Sequence, residues 1–568
     1  MKLRSRTAST DRGSFAQRFE QASGLELAAN ALAALSVVSL LLGVELWIAL
    51  VTAGLSLALI VWFGLPALRR GKGWRQYVSR FVLARVLIVF AIGYAYLRTS
   101  DDLIVWVSVG VLVFLIGTEV NCAKVASGAI PYASNLPGVA VRNYPIFGVN
   151  VVFVVNVAAM LFLAVLAWFG VTPWVGIAVT VLAAFPTAIS MLDGILRVRS
   201  RRIAERRLSE VLASIAPTFA VHWDAPANTD YQLAMWLPYL ERLGKPFIVI
   251  VRHRSSFAPI SRLTSAPVLL RSAVADMDGI VTPTLKAVFY VNSNARNVHL
   301  ARYTQLTHIQ LLHGESDKAP SFNPVLRMFD KNFVAGQAAI DRFEKAGIQT
   351  APDFFSIVGR PQVENIQLSR SALSDREHKT VMYAPTWAGY FADSNYSSLP
   401  IGFEIVSSLV RRGARVIFRS HPYTSLNQRH ATEALRIVEL LEQDAAASGR
   451  DHLWGARAEK ELSTSECFNL SDALVSDVSS IVPDFLYSEK PFAIAAIAAS
   501  DNFVEEFPLA KASYLLSRDG SNIETVLDEL LEHDSLLAER REWKKYYLGD
   551  FPPETYGDAF TNEALKYV

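Results

Sequence analysis

Cysteine is nearly missing from this chain: Cys122 and Cys467, far apart, are the only two in 568 residues. That excludes a disulfide scaffold and any cysteine-rich zinc module. Charge of one sign is lacking as well. Lys and Arg number 55 and Asp and Glu 53, a formal charge of +2 that argues against a general nucleic-acid binder. Charge of either sign is scarce, at 19% against 51% hydrophobic residues, and the apolar excess lies before residue 200. The chain reads as a membrane protein joined to a soluble one.

Six stretches approach the roughly 20 apolar residues that span a bilayer: 27–44, 46–68, 81–97, 103–118, 146–170 and 174–192. The first runs on into the second across little more than Glu45, so it reads as a retained hairpin and not a cleaved signal. Arg85, near one end of the third, is expected to snorkel to the headgroups. Asn30, Asn150, Asn156 and Asp193, on different spans, read as interface or inter-helix contacts. Positive charge sets the orientation. Lys2, Arg4, Arg6, Arg12 and Arg18, then Arg69, Arg70, Lys72, Arg75 and Arg80, then six Arg in RVRSRRIAERR (197–207) fall on one side. The opposite loops carry a single Arg, in RTSDD (98–102). Both ends and the soluble half are expected in the cytoplasm, with the Arg-rich run against anionic lipid.

From residue 217 short apolar runs alternate with amphipathic stretches: 218–223, 246–251, 286–291, 309–313, 332–336 and 354–359. After the polar segment 369–379 a second series follows: 380–387, 415–422, 473–477 and 491–496. That alternation predicts strand–helix–strand units around parallel sheets, hence two Rossmann-like, doubly wound lobes. The expected organisation is a tail over 1–24, about six transmembrane helices over 25–196, a basic linker over 197–216, and lobes over 217–365 and 366–568. Two such lobes meet at their strand C-termini, where ligands bind.

Five motifs fall at predicted strand ends. In LLHGESDK (311–318), His313 follows a buried run, Gly314 allows a sharp turn, and Glu315, Asp317 and Lys318 crowd the loop. An imidazole there is placed to take a proton from an attacking hydroxyl. In FRSHP (418–422), Arg419 and His421 alternate, so both face one side of the expected strand and suit a phosphate leaving group. SDVSS (476–480) turns a strand into a helix whose Ser479 and Ser480, with the first amides, make an anion site or an ordinary N-cap. YAPTW (383–387) offers Thr386 and Trp387 at the cleft mouth, and VGRP (358–361), with Gly359 and Arg360, reads as a hinge. Asp276-Met277-Asp278 is a D-x-D in a polar segment and reads as a turn; no metal is implied.

In this order the motifs resemble the CDP-glycerol glycerophosphotransferase family, the teichoic-acid polymerases and primases. That family's pattern runs WHGTPLK, GxPRxD, YAPTWR, a basic strand ending in HP, and TDYSS before an acidic helix and KP. Here stand LHGESDK, GRPQVE, YAPTWA, FRSHP and SDVSSIVPDF, then EKP, over roughly 217–560. The resemblance implies a glycosyltransferase-B fold, a CDP-alditol donor, a lipid-linked or polymer acceptor, release of CMP, and no cofactor. It makes His313 the base for the acceptor hydroxyl and puts His421 and Arg419 near the donor phosphates. It matches Ser479 and Ser480 to phosphate-holding hydroxyls, Asp477 and Asp484 to family carboxylates, and Lys318 to the family Lys. Glu315-Ser316-Asp317 replaces Thr-Pro-Leu, Gln362 and Ala388 replace two family arginines, and the six spans have no counterpart. Those departures leave glycerol, ribitol, another alditol phosphate or a sugar phosphate open. The competing readings are a UDP-sugar glycosyltransferase or epimerase of the same fold, and a non-enzymatic polymer-binding export partner.

Overall fold

The structure, a computed structural model, describes residues 11–70, 79–100, 102–128, 133–139, 145–225, 229–317, 319–369, 373, 376–389, 395–497 and 502–568. It divides into two compact units, one ending at Leu208 and one of Ser209–Val568 joined by Ala133–Pro137.

Among the described residues the first unit holds six helices long and apolar enough to cross a membrane. They are α1 (Asp11–Leu41), α2 (Leu46–Arg70), α3 (Val82–Ser100), α4 (Val105–Gly128), α5 (Val149–Trp168) and the first half of α6 (Pro173–Ile215). Each falls on one of the six expected stretches. Ile88, Val109, Leu112, Phe153 and Leu163 fill the interior, while Trp62, Phe114 and Leu182 stand outward and exposed. An apolar exterior of this kind is compatible with insertion in a membrane. Arg85 does not snorkel. It is buried, donates to Glu119 at 2.6 Å, and lies 4.8 Å from the Phe153 ring centre. Asn156 donates to the other oxygen of Glu119 at 2.7 Å, so Asn156 belongs to a cluster. Asp193 pairs with Arg197 at 3.0 Å, one turn along α6. The expected basic linker over 197–216 is helical up to Ile215.

The second unit contains two sheets. The first has the order β1-β4-β3-β2-β5-β6-β7-β8. Its strands are β1 (Ala133–Ser134), β2 (Phe219–Trp223), β3 (Phe247–Val251), β4 (Val268–Leu270), β5 (Ala287–Tyr290), β6 (Thr307–Gln310), β7 (Lys331–Val334) and β8 (Phe355–Ile357). Every pairing is parallel except that of β1 with β4. β2 and β3 are buried at every residue, as strands covered on both faces must be. The chain winds outward from β2 through β3 to β4, then crosses to β5, so the winding reverses between β2 and β5. β1 comes from the connection between α4 and α5 and was not expected. Asn135 holds it, its amide donating to the carbonyls of Thr264 and Ala266 at 2.8 and 3.2 Å.

The second sheet has the order β10-β9-β11-β12-β13 and is parallel throughout. Its strands are β9 (Thr380–Ala384), β10 (Arg415–Phe418), β11 (Ala473–Asp477), β12 (Phe492–Ala495) and β13 (Tyr514–Leu516), and its winding reverses between β9 and β11. Helices Leu399–Arg411 and Gln428–Ser448 pack together beside it. The last helices, Leu537–Leu548 and Asp558–Ala564, return to the first lobe. There Phe560 packs on Trp236 and Phe333, with ring centres 5.2 and 6.2 Å apart. Two doubly wound lobes with this crossing back form a glycosyltransferase-B arrangement.

Candidate active site

The two reversals of winding mark where each sheet opens at its strand C-termini. In the first lobe β6 stops at Gln310, and Leu312 adopts a left-handed φ of 54°. For a branched side chain that conformation costs on the order of 1–3 kcal/mol. Trp236 holds it, its indole N–H donating to the Leu312 carbonyl at 2.7 Å. The turn that presents His313 is therefore made at Leu312, not at Gly314 as expected. Gly314 serves a different need. A Cβ there would stand 3.0 Å from Ser480 Cβ and 3.3 Å from Ser480 Oγ, so the missing side chain lets the two lobes touch. The first and third motifs thus meet.

Glu315 and Asp317 do not stand as free charges beside His313. Both pair with Arg342 from α7 (Gln337–Lys345), Asp317 at 2.7 Å. Tyr547, on the returning helix Leu537–Leu548, donates its hydroxyl to Asp317 at 2.8 Å. The two carboxylates anchor the loop that carries His313. Lys318 lies outside the described residues.

His313 is exposed on the cleft, and its ring donates to the Val291 carbonyl. The surrounding walls and the Arg360 guanidinium lower its pKa to about 4, so the ring is neutral and able to accept a proton near neutral pH. Arg360 itself crosses the cleft. Its Nη2 donates to Asp484 Oδ2 at 2.9 Å and its Nε to Oδ1, a two-pronged pair. Gly359 turns with a φ of 69°, and the Arg360 amide donates to the Tyr556 hydroxyl at 3.0 Å. The segment expected to be a hinge is pinned on both sides. With its guanidinium held by Asp484, Arg360 does not replace the family Arg at Gln362, whose amide donates to the Met235 carbonyl at 3.3 Å.

In the second lobe Asp477 is buried and accepts from the Thr386 amide at 2.6 Å and the Ser398 amide at 3.1 Å. It organises the loops leaving the sheet. Thr386 lies buried beside it. Ser479 Oγ accepts from the Ile481 amide at 3.4 Å. Ser480 opens the helix Ile481–Leu486 with no side-chain capping bond, which leaves it facing Gly314. At six residues that helix has little dipole, so any anion site there rests on hydroxyls and amides.

Arg419 and His421 are not on the strand, because β10 ends at Phe418. Arg419 turns away from the cleft and donates to the carbonyls of Ala458 and Leu462, the latter at 3.0 Å. His421 stacks on Trp387, with ring centres 6.0 Å apart and planes 21° apart. Its Nδ1 accepts from the Tyr423 amide at 3.1 Å, which puts the ring proton of the neutral form on Nε2. Tyr423 meets Trp387 edge-on at 5.3 Å and completes an aromatic surface. Sequence reasoning missed Tyr423, although an aromatic two residues after the His of an HP turn was its signal. Trp236, Arg342, Tyr547 and Tyr556 gave none, since each acts across long sequence separations.

A flat aromatic face, a histidine with a fixed tautomer, and helix-opening serines opposite a second histidine suit a nucleotide-activated donor. Residues 355–501 match the family model described as CDP-Glycerol:Poly(glycerophosphate) glycerophosphotransferase. Over this segment the chain is similar to CDP-glycerol glycerophosphotransferases, which supports a transferase of that type. No curated protein matches it in sequence. Among solved structures it resembles the wall teichoic acid polymerase TagF at 15% identity, over 65% of this chain and 95% of that one, with a TM-score of 0.41. A putative UDP-N-acetylglucosamine 2-epimerase from Listeria monocytogenes is 12% identical over 60% and 94%, with a TM-score of 0.37. A glycosyltransferase from Rickettsia africae is 12% identical over 62% and 93%, with a TM-score of 0.35. The glycerophosphotransferase match covers His421, Ser479, Ser480 and Trp387; His313 lies before it.

Proposed function

We propose that this glycerophosphotransferase is membrane-bound and moves glycerol phosphate, or another alditol phosphate, from a CDP-alditol to an acceptor hydroxyl. It releases CMP in the synthesis of a teichoic-acid-like or capsular envelope polymer. The observation that carries the reading is the contact of Gly314 with Ser480, which sets the candidate base beside the candidate phosphate hydroxyls. The acceptor oxygen attacks the β-phosphorus as its proton passes to His313. The bond to the bridging oxygen breaks, and its electrons leave with CMP. His421 Nε2–H and Ser480 stabilise the charge that develops on the departing phosphate. Trp387 and Tyr423 offer the base a stacking surface.

Six apolar helices support anchoring in the membrane. Ala133–Pro137, between the fourth and fifth of them, folds with the lobes, which supports a common side for that connection and the site. The basic flanks favour the cytoplasm for both.

The test is CMP release and ligand binding by the full chain in detergent, with CDP-glycerol, CDP-ribitol and a UDP-sugar. Selective cytidine binding and acceptor-dependent CMP are expected, and His313→Ala should abolish turnover yet still bind CDP-glycerol. Preference for the UDP-sugar would replace this reading with the glycosyltransferase or epimerase one.

A further inference from the structure

The second lobe places its candidate donor groups where its winding reverses, between β9 and β11. The first lobe reverses between β2 and β5, and the residues just past those strands and their neighbours were not singled out by any motif. Asp224 follows β2, Arg252 and His253 follow β3, Arg271 follows β4 and Asn292 follows β5. Arg252 is 1% exposed. Its Nη2 lies 2.8 Å from His299 Nδ1 and donates to the Ser272 carbonyl at 3.3 Å, while Nε and Nη1 meet no hydrogen-bond acceptor among the described residues.

Asp224 is the carboxylate of the cluster. His253 Nε2 lies 3.1 Å and Arg296 Nη1 3.7 Å from its Oδ1, contacts without hydrogen-bond geometry. Its backbone carbonyl accepts from the Asn292 and Asn294 amides at 3.2 and 2.6 Å. Burial and Arg252 push the pKa values of His222 and His299 down, so the positive charge belongs to the arginines. Burial lowers Arg252 itself to about 10, still protonated at neutral pH. Arg296 and His253, half-exposed, form the rim. A buried guanidinium with two donors unmatched, under a basic rim, wants an anion.

We propose that this switch point binds a phosphate group of the acceptor, through Arg252 and Arg296. The proposal rests on the transferase reading above. The link to the reaction is short: the Val291 carbonyl that takes the His313 ring N–H is next to Asn292. From β5 through β2 to β3 is two strand spacings, roughly 10 Å. That is the scale of one phosphodiester-linked alditol unit, whose free hydroxyl would lie at His313 while its phosphate lies at Arg252.

The phosphate has two sources, a growing alditol phosphate chain or the diphosphate of a lipid-linked primer, and the test separates them. The full chain in detergent is titrated with a glycerol phosphate trimer and, separately, with a short-chain polyprenyl diphosphate. Arg296→Gln and Arg252→Met are expected to weaken the binding of one or both probes about ten- to hundredfold, with the KM for CDP-glycerol unchanged. Arg252→Lys keeps the charge and should recover part of the affinity, which a purely structural role would not require. The probe whose binding falls identifies the source. Unchanged affinity for both probes in folded Arg296→Gln protein overturns the site. Should the trimer bind through Arg252 while no CMP forms from CDP-glycerol, the site stands and the transferase reading falls. Should CMP form with an acceptor KM indifferent to both arginines, the reverse holds.

Discussion

Arg360 joins the lobes by a two-pronged pair with Asp484, and the same guanidinium lowers the pKa of His313. One side chain therefore bridges the lobes and adds to the effect of burial in holding the pKa of the candidate base down. In the family pattern an arginine is expected two positions later, where this chain has Gln362.

The pH profile should report that coupling. With His313 at about 4, against roughly 6.5 for an unperturbed histidine, kcat/KM should stay level from pH 8 down to about 5. Arg360→Gln removes the positive charge and leaves the Asp484 carboxylate unpaired, so the acid limb should move up toward 6.5. Asp484→Asn keeps the cation and should not raise it. Stability follows the same sign. As pH falls from 6.5 toward 4 the unfolded state takes up the proton first, so His313 destabilises the native protein over that window and is neutral to it above. An acid limb that stays put in Arg360→Gln would disprove the coupling and leave burial alone as the cause of the lowered pKa.

Gly314→Ala tests the contact between lobes. The added methyl meets Ser480 Cβ at 3.0 Å, so closure should fail and turnover should drop at least about tenfold with donor affinity retained. Ser480→Gly in the same chain removes the clash but also a candidate phosphate hydroxyl. Partial recovery is then expected, against none from Ser480→Ala, which keeps the Cβ. Single-turnover kinetics on the three variants would decide it.

The aromatic face should set nucleotide affinity. Trp387→Ala removes the surface shared with His421 and Tyr423, and CDP and CDP-glycerol should both bind about tenfold more weakly by titration. Trp387→Phe should keep most of that affinity. His421→Gln should instead lower kcat, because the bond at Nδ1 leaves the ring proton on Nε2, the atom proposed to meet the phosphates. Equal losses of affinity in His421→Gln and Trp387→Ala would show that the histidine only packs.

Most strands were legible because burial on both faces leaves an unbroken apolar run. Ala473–Asp477 stands at the bounds that its residues indicate. The errors have identifiable causes. FRSHP continues the apolar run of β10 without a break, so Arg419 and His421 looked like strand residues, whereas the strand stops at Phe418. β1 is two residues long, too short for any periodicity, and is held by Asn135. The pairing of Glu315 and Asp317 was not visible because their partners, Arg342 and Tyr547, come from elsewhere in the chain. In the membrane half the fourth expected span stopped at residue 118, one short of Glu119, so the partner of Arg85 went unseen.

That last pair supports a prediction about stability. Arg85 and Glu119 are both fully buried inside the six-helix unit, and Asn156 satisfies the second carboxylate oxygen. Removing one partner strands a charge in a dry interior, so Arg85→Leu and Glu119→Leu should each cost about 3–5 kcal/mol. The double variant leaves no charge and should recover most of that loss, since a well-packed apolar pair is often as stable as a buried ion pair. Thermal unfolding of the full chain in detergent, followed as a double-mutant cycle, measures the coupling. Additive losses would mean that the two side chains are solvated independently. If the double variant is stable yet slower in turnover with a lipid-linked acceptor, the pair acts in the reaction as well as in the packing of the helices.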